Sequence, residues 1–283
     1  MSRIDSVKSA HSSAVEFHSS LGQPPTKAVS TFFLTAVEGG SSAAASALGG
    51  SGATSFGASR NVYELNEKLE STTSSYPPEQ VPDEISEILE RTPSIEEYQM
   101  LHQFIQARDA LIVRQKLSRA ICAEEDFKGA FESFETVLEH AASFPEWVVQ
   151  HQYALKQVHV LDLKNCQLSQ VPPEIGSLAH LQVLDLENNL LSQLPAEVSC
   201  LRELNTLNLT NQLRQFPPVV ATLSGLQVLK VAHNWLQQLP FELGNLTQLQ
   251  YLDASHNQLK QLSPAIGELV ELTHLDLTSN KLT

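Results

Sequence analysis

Leucines return at fixed places in the second half of the chain, and no other feature restricts the fold as much. Units begin at Val158, Leu181, Leu204, Leu226, Leu249 and Leu272, at spacings of 23, 23, 22, 23 and 23 residues. Each complete unit follows LxxLxLxxNxLxxLPxxIxxLxx closely. The second reads LQVLDLENNLLSQLPAEVSCLRE and the fourth LQVLKVAHNWLQQLPFELGNLTQ. A period of this length marks a stacked array, because no single unit can bury its own apolar face. Alternation in LxLxx gives each unit one short strand, with Leu161 and Leu163, or Leu184 and Leu186, pointing inward. The strands then stack in parallel. Asn189, Asn211, Asn234, Asn257 and Asn280 fill the Asn position, where a side chain satisfies backbone groups as the chain leaves the strand. Cys166 takes that position in the first unit and reads as a structural residue, not a nucleophile. Pro172, Pro195, Pro217 and Pro240 stiffen the turn toward the convex side. The third unit reads as having lost one residue before Asn211, which predicts a distorted concave face there. The sequence stops at Thr283, halfway through the sixth unit and with no polar cap in view, an arrangement expected of a fragment of a longer protein.

These are leucine-rich repeats, and the LPxxIxxLxxL form with its 23-residue period resembles the intracellular Ras-group proteins. That group includes the Ras-Raf scaffold of animals, the Ras-suppressor type and the plant intracellular Ras-group-related proteins. The resemblance covers 158–283. It implies an α/β horseshoe solenoid of parallel strands that binds proteins on its concave face. A small GTPase, or another signalling protein with a basic surface, is the partner class it points to.

The array is expected to follow a small all-α region at 79–157 and a disordered tail at 1–78. The tail is rich in Ser, Ala, Gly and Thr, and cannot bury enough apolar surface to offset its ordering entropy. A short helix over Val62–Leu69 is compatible with its sequence. A transit peptide is the alternative reading, but Asp5, Glu16 and Glu38 count against it. In 79–157, Ser94 and Glu97 form a capping-box signature before the helical run Ile95, Tyr98, Leu101, Ile105 and Ile112. A second run holds Leu117, Ala120 and Ile121, and a third holds Phe127, Ala130, Phe131, Phe134, Val137 and Leu138. The piece KLSRAICAEEDFKGAFESFETVL at 116–138 is similar to the UVR-type hairpin of two short helices, a protein contact element in its families. It departs from that motif at Phe131–Phe134, and a generic amphipathic hairpin remains open. Phe144, Trp147, Val148 and Val149 are expected to cap the first repeat.

The net charge of −14 divides into −1 over 1–78, −8 over 79–157 and −5 over 158–283. Such an acidic chain lacks the clustered Lys and Arg that phosphate backbones require, so no nucleic-acid partner is expected. A basic protein surface suits it better. Cys122, Cys166 and Cys200 are few, odd in number and far apart, which favours a reducing, cytoplasmic setting over a disulfide framework. The N-terminus shows no signal-peptide pattern, and 31–50 is too interrupted to span a membrane.

Between the inward leucines the strands place Asp162, Asp185, Asn208, Lys230, Asp253 and Asp276 in one ladder. Like charges on neighbouring strands repel, so a mainly acidic ladder points to a basic partner. Glu187, His233, Tyr251, His256 and His274 lie around it, and a merely solvated polar face is the alternative. The three histidines occupy unlike repeat positions, so no metal site is expected. Trp235 is either an exposed contact hot spot or packed flat on a neighbouring repeat. The sequence contains no GxxxxGK, GxSxG, HExxH, GxGxxG or CxxC motif. The expectation is a cofactor-free scaffold, not an enzyme. The alternative is the regulatory or substrate-recruiting part of a larger kinase, cyclase or ubiquitin ligase.

Overall fold

In the computed structural model the described residues are 76–283, except 78, 79, 90–92, 124, 126, 128 and 212. The expected tail, its short helix and the transit-peptide alternative lie outside them, apart from residues 76 and 77.

Five helices precede the repeats among the described residues: α1 (Asp83–Leu89), α2 (Ile95–Ala120), α3 (Phe134–Ala142), α4 (Phe144–Gln150) and α5 (Gln152–Leu155). Helix α2 starts where the capping box places it. Ser94 Oγ accepts from the Glu97 amide at 3.3 Å, and Glu97 Oε2 accepts from the Ser94 amide at 2.8 Å. The first two apolar runs are one helix, a correction to the sequence reading. No Gly or Pro separates Ile112 from Leu117, and Val113 and Leu117, both 0 % exposed, continue one stripe. Beyond the C-cap Ile121 the chain turns at Cys122, whose φ of 54° is left-handed. The Ala123 amide then reaches Ser118 O at 2.9 Å and the Cys122 amide reaches Arg119 O at 3.2 Å, the Schellman closure.

The third run is shorter than expected. The described residues of 121–133 are not helical, and α3 begins only at Phe134, capped by Ser133 and Thr136. The stretch 116–138 is therefore not a pair of short helices, and the UVR-type hairpin is not what forms. Left-handed Cys122 and Gly129 turn the chain before a second helix can start.

Each repeat contributes one three-residue strand: β1 (Val160–Asp162), β2 (Val183–Asp185), β3 (Thr206–Asn208), β4 (Val228–Lys230), β5 (Tyr251–Asp253) and β6 (His274–Asp276). They form one parallel sheet in the order β1 to β6. The convex side carries a 3-10 turn in each of the first five units, from Pro173–Ser177 to Pro264–Glu268. Pro172, Pro195, Pro217 and Pro240 stand immediately before these turns at φ between −67° and −70°, the value proline fixes in advance. Each of the first four turns drops one apolar side chain inward, Ile175, Val198, Val220 or Leu243, all 0 % exposed.

The middle strand leucines Leu161, Leu184, Leu207, Leu229 and Leu252 are at most 2 % exposed, whereas Leu275 of β6 is 38 % exposed. One apolar core runs from Ile112, Val113 and Leu117 through Phe144, Trp147 and Val148 into the repeats. The helices thus cover the first unit, as the sequence predicts for Phe144, Trp147 and Val148. Val149 does not take part. It is 64 % exposed, on the side of α4 turned away from the core.

Candidate functional site: the concave face

Strand register sets the chemistry of the concave face. Asp162, Asp185, Asn208, Lys230, Asp253 and Asp276 pair in sequence across the sheet. Val160, Val183, Thr206, Val228, Tyr251 and His274 form the parallel column two residues earlier. Adjacent parallel strands lie about 4.8 Å apart, so each column is a continuous strip. Sequence reading missed the apolar part of the first column, in which Val160 is 60 % exposed. Period-two alternation would have marked those valines as outward-facing.

The acidic column has a second job. Asp162, Asp185 and Asp276 each accept, through Oδ1, the amide two residues ahead at 2.9 Å. Asp253 accepts both the Ser255 amide at 3.1 Å and its hydroxyl at 2.7 Å. These are Asx turns, which bend the chain off the strand. The bond from the Thr278 amide holds the Asp276 carboxyl below its ordinary range. Among the described residues Oδ2 of Asp162, Asp185 and Asp253 makes no hydrogen bond, so one oxygen per carboxylate faces outward unused.

Two expected contact residues are tied up. Asn208 is 8 % exposed. Its Oδ1 takes the Thr210 amide and hydroxyl, and its Nδ2 donates to Glu187 Oε2 at 3.1 Å. Glu187 also pairs with Lys164 at 2.8 Å, which pulls its carboxyl below the usual value and pushes the Lys164 ammonium up. The loss of free charge at this point interrupts the acidic strip between Asp185 and Asp253.

His233 and His256 lie beyond the strands, at left-handed turn positions with φ of 54° and 52°. Their rings stack at 4.2 Å between centroids. His274 is in the other column, 5.9 Å from Tyr251, so the histidines do not converge. Among the described residues no group of three His, Cys, Asp or Glu is placed to hold a metal. Trp235 is 58 % exposed, on the loop after Asn234.

The Asn ladder corrects the sequence alignment. Asn189, Asn234, Asn257 and Asn280 each donate from Nδ2 to carbonyls of their own and the preceding unit, and each accepts an amide of the preceding unit. Asn211 is not among them. Its amide bonds Ala232 O at 3.2 Å, as Asn188 bonds Thr210 O and His233 bonds Ser255 O. Asn211 is therefore the left-handed turn residue, at φ 87°, and its side chain donates to Asn188. The missing residue follows Asn211, and the ladder position falls on Gln212, outside the described residues. The strand register through β3 is undisturbed, so no distortion of the concave strands accompanies the deletion.

A buried ion pair fastens α2 to the first repeat, and sequence reading missed it. Arg108 and Asp109 are 1 % and 0 % exposed and 2.9 Å apart. Asp109 Oδ2 accepts the Ser169 amide, the Ser169 hydroxyl and the Gln170 amide at 2.8–3.1 Å. Arg108 donates to Gln80 Oε1 and Gln167 O and lies 3.5 Å from the Tyr76 ring centroid. A visible signal existed: Arg108 falls on the same helical stripe as Ile105 and Ile112.

All three cysteines are free thiols. Cys166 is half-buried and hydrogen-bonds Lys164 O at 3.5 Å, and burial pushes its thiol up. Cys122 and Cys200 are exposed. A disulfide reagent at neutral pH should therefore modify two thiols rapidly and the third at least tenfold more slowly, since the thiolate is the nucleophile. Peptide mapping that puts Cys166 among the fast sites would contradict its packed role.

Two family models match the repeats. A leucine-rich repeat region model matches residues 137–234, and a leucine rich repeat model matches 224–282. No curated protein matches the chain. Similar solved structures include a leucine-rich-repeat protein of Leptospira interrogans, 28 % identical over 47 % of this chain and 46 % of that one, at a TM-score of 0.30. The ectodomain of the Arabidopsis thaliana receptor kinase GASSHO1/SCHENGEN3, in complex with CASPARIAN STRIP INTEGRITY FACTOR 2, is 29 % identical over 44 % of this chain and 16 % of that one, at 0.38. The Arabidopsis receptor kinase HAESA, in complex with the peptide hormone IDA and the co-receptor SERK1, is 26 % identical over 40 % and 20 %, at 0.35. The chain spans less than half the length of each. Among the described residues no helix is long and apolar enough to cross a membrane. Repeat sequence, parallel register, convex 3-10 turns and both family models agree that the second half of this chain is a leucine-rich-repeat solenoid, capped on its first unit by helices.

Proposed function

We propose that the chain is an interaction scaffold that receives a basic protein surface on the concave face of its repeats. The observation that carries this is the acidic column: Asp162, Asp185, Asp253 and Asp276 stand in register, and three of them have an outward oxygen that makes no hydrogen bond among the described residues. Tyr251 and His274 add a flat contact area beside Asp253 and Asp276. Repeat arrays generally work through such extended faces. The three free, scattered thiols support a cytoplasmic setting. A small GTPase or another signalling protein with a basic patch fits this reading. Catalysis has no part in it, since the acidic groups line an open strip.

The test must remove charge without removing the Asx turns. Asn208 shows that Asn can make the turn at this position. The full chain and the triple variant D185N/D253N/D276N are used as paired baits, with circular dichroism confirming equal folding. The variant is expected to lose its partners about tenfold in affinity, as three exposed contact charges would. Partners that bind both baits equally would remove the concave face from consideration.

A further inference from the structure

Opposite in sign to the concave strip is the edge where each unit leaves its strand. Residues 165–172, 188–195, 211–217, 234–240, 257–263 and 280–283 contain no Asp or Glu, in a chain of net charge −14. They contain Arg214, Lys260 and Lys281. Arg214 and Lys260 form no ion pair among the described residues. Together with Gln215, Phe216, Gln237, Gln238, Pro240 and Gln261 they line a groove of about 540 Å³. Its floor includes nearly buried Phe216, and Trp235 stands 58 % exposed on the same loop as Gln237.

The first unit shows what this edge does with a carboxylate. There, Asp109 of α2 is held by the paired amides of Ser169 and Gln170. The same place in later units is Ser192–Gln193, Arg214–Gln215, Gln237–Gln238 and Lys260–Gln261. Among the described residues, the amides of Arg214, Gln215, Gln237 and Gln238 make no backbone hydrogen bond. These residues are exposed, whereas Ser169 and Gln170 are half-covered by the helix. Unoccupied donor pairs beside a cation, over an apolar floor, suit an acidic peptide.

We propose that the edge of the third and fourth units, with Lys260 beside it, docks an extended acidic segment of a partner protein, its carboxylates bound as Asp109 is bound in the first. The proposal uses a different surface from the concave strip and does not depend on it. Fluorescein-labelled octaglutamate, titrated into the full chain and followed by anisotropy, is the probe. Saturable binding is expected, with amide NMR shifts at Gln215 and Gln238. R214E/K260E should weaken it at least tenfold and R214Q/K260Q by less, while D185N/D253N/D276N leaves it within twofold. Both edge variants change exposed side chains, and circular dichroism confirms their folding. Lack of saturation, equal binding by R214E/K260E, or tighter binding of a labelled uridine octanucleotide than of octaglutamate would each overturn the proposal.

Discussion

Replacing Asp109 with Ala will destabilise the folded chain by about 3–5 kcal/mol, the usual result of removing one member of a buried ion pair. Arg108, 1 % exposed, would keep its charge with no counter-charge, and the amides of Ser169 and Gln170 would lose their acceptor. A chemical-denaturation midpoint measures the loss. A change below about 1 kcal/mol would mean that water or a rearranged helix replaces the pair. The same carboxyl makes a pH prediction. Burial, opposed by Arg108 and the three donors from the repeat, pushes it up from 3.8 to about 6. The native state then holds this proton more tightly than the unfolded chain does. Between about pH 4 and pH 6 the unfolded chain gives up the proton first, so the Asp109 contribution falls as pH rises and is level above about 6. Asn cannot ionise, so the stability difference between wild type and Asp109→Asn isolates the effect. If that difference rises with pH instead, Arg108 and the donors outweigh burial.

Replacing Asn257 with Ala should cost about 3–4 kcal/mol, whereas the same change at Asn211 should cost less than about 1 kcal/mol. Asn257 is 6 % exposed. Its Nδ2 donates to Val231 O and Ala254 O at 2.8 and 3.1 Å, and its Oδ1 accepts the Leu236 amide at 3.0 Å. Truncation strands these backbone groups out of reach of water, at roughly 1–3 kcal/mol for each left unpaired. Among the described residues the Asn211 side chain bonds only Asn188, at the edge. Paired denaturation curves decide the matter. Equal losses at the two sites would return Asn211 to the ladder and move the deletion ahead of it.

The repeats were legible because their period fixes strand, turn and inward leucines together, and the capping box at Ser94 marked the start of α2. What escaped has physical reasons. A one-residue deletion next to two similar residues, Asn211 and Gln212, is ambiguous on paper; the backbone pairing of Asn211 with Ala232 resolves it. Asp185 and Asp253 read as surface charge because the sequence does not show that an Asx turn takes one oxygen of each. Asn208 looked exposed by position and is buried by its neighbours Glu187 and Thr210. The break after α2 was hidden because a non-glycine residue, Cys122, adopts the left-handed conformation. Arg108 and Asp109 escaped notice because their partners, Gln167 for Arg108 and Ser169 and Gln170 for Asp109, lie some sixty residues away.

The Asn ladder binds each unit to the one before it, and such arrays unfold according to the strength of nearest-neighbour links. Asn189 ties the second unit to the first, and Asn234, Asn257 and Asn280 tie the fourth, fifth and sixth units in succession. Because each link joins neighbours only, the Leu168, Leu213, Leu236 and Leu259 amides held by the ladder side chains will each report the opening of one junction in hydrogen exchange.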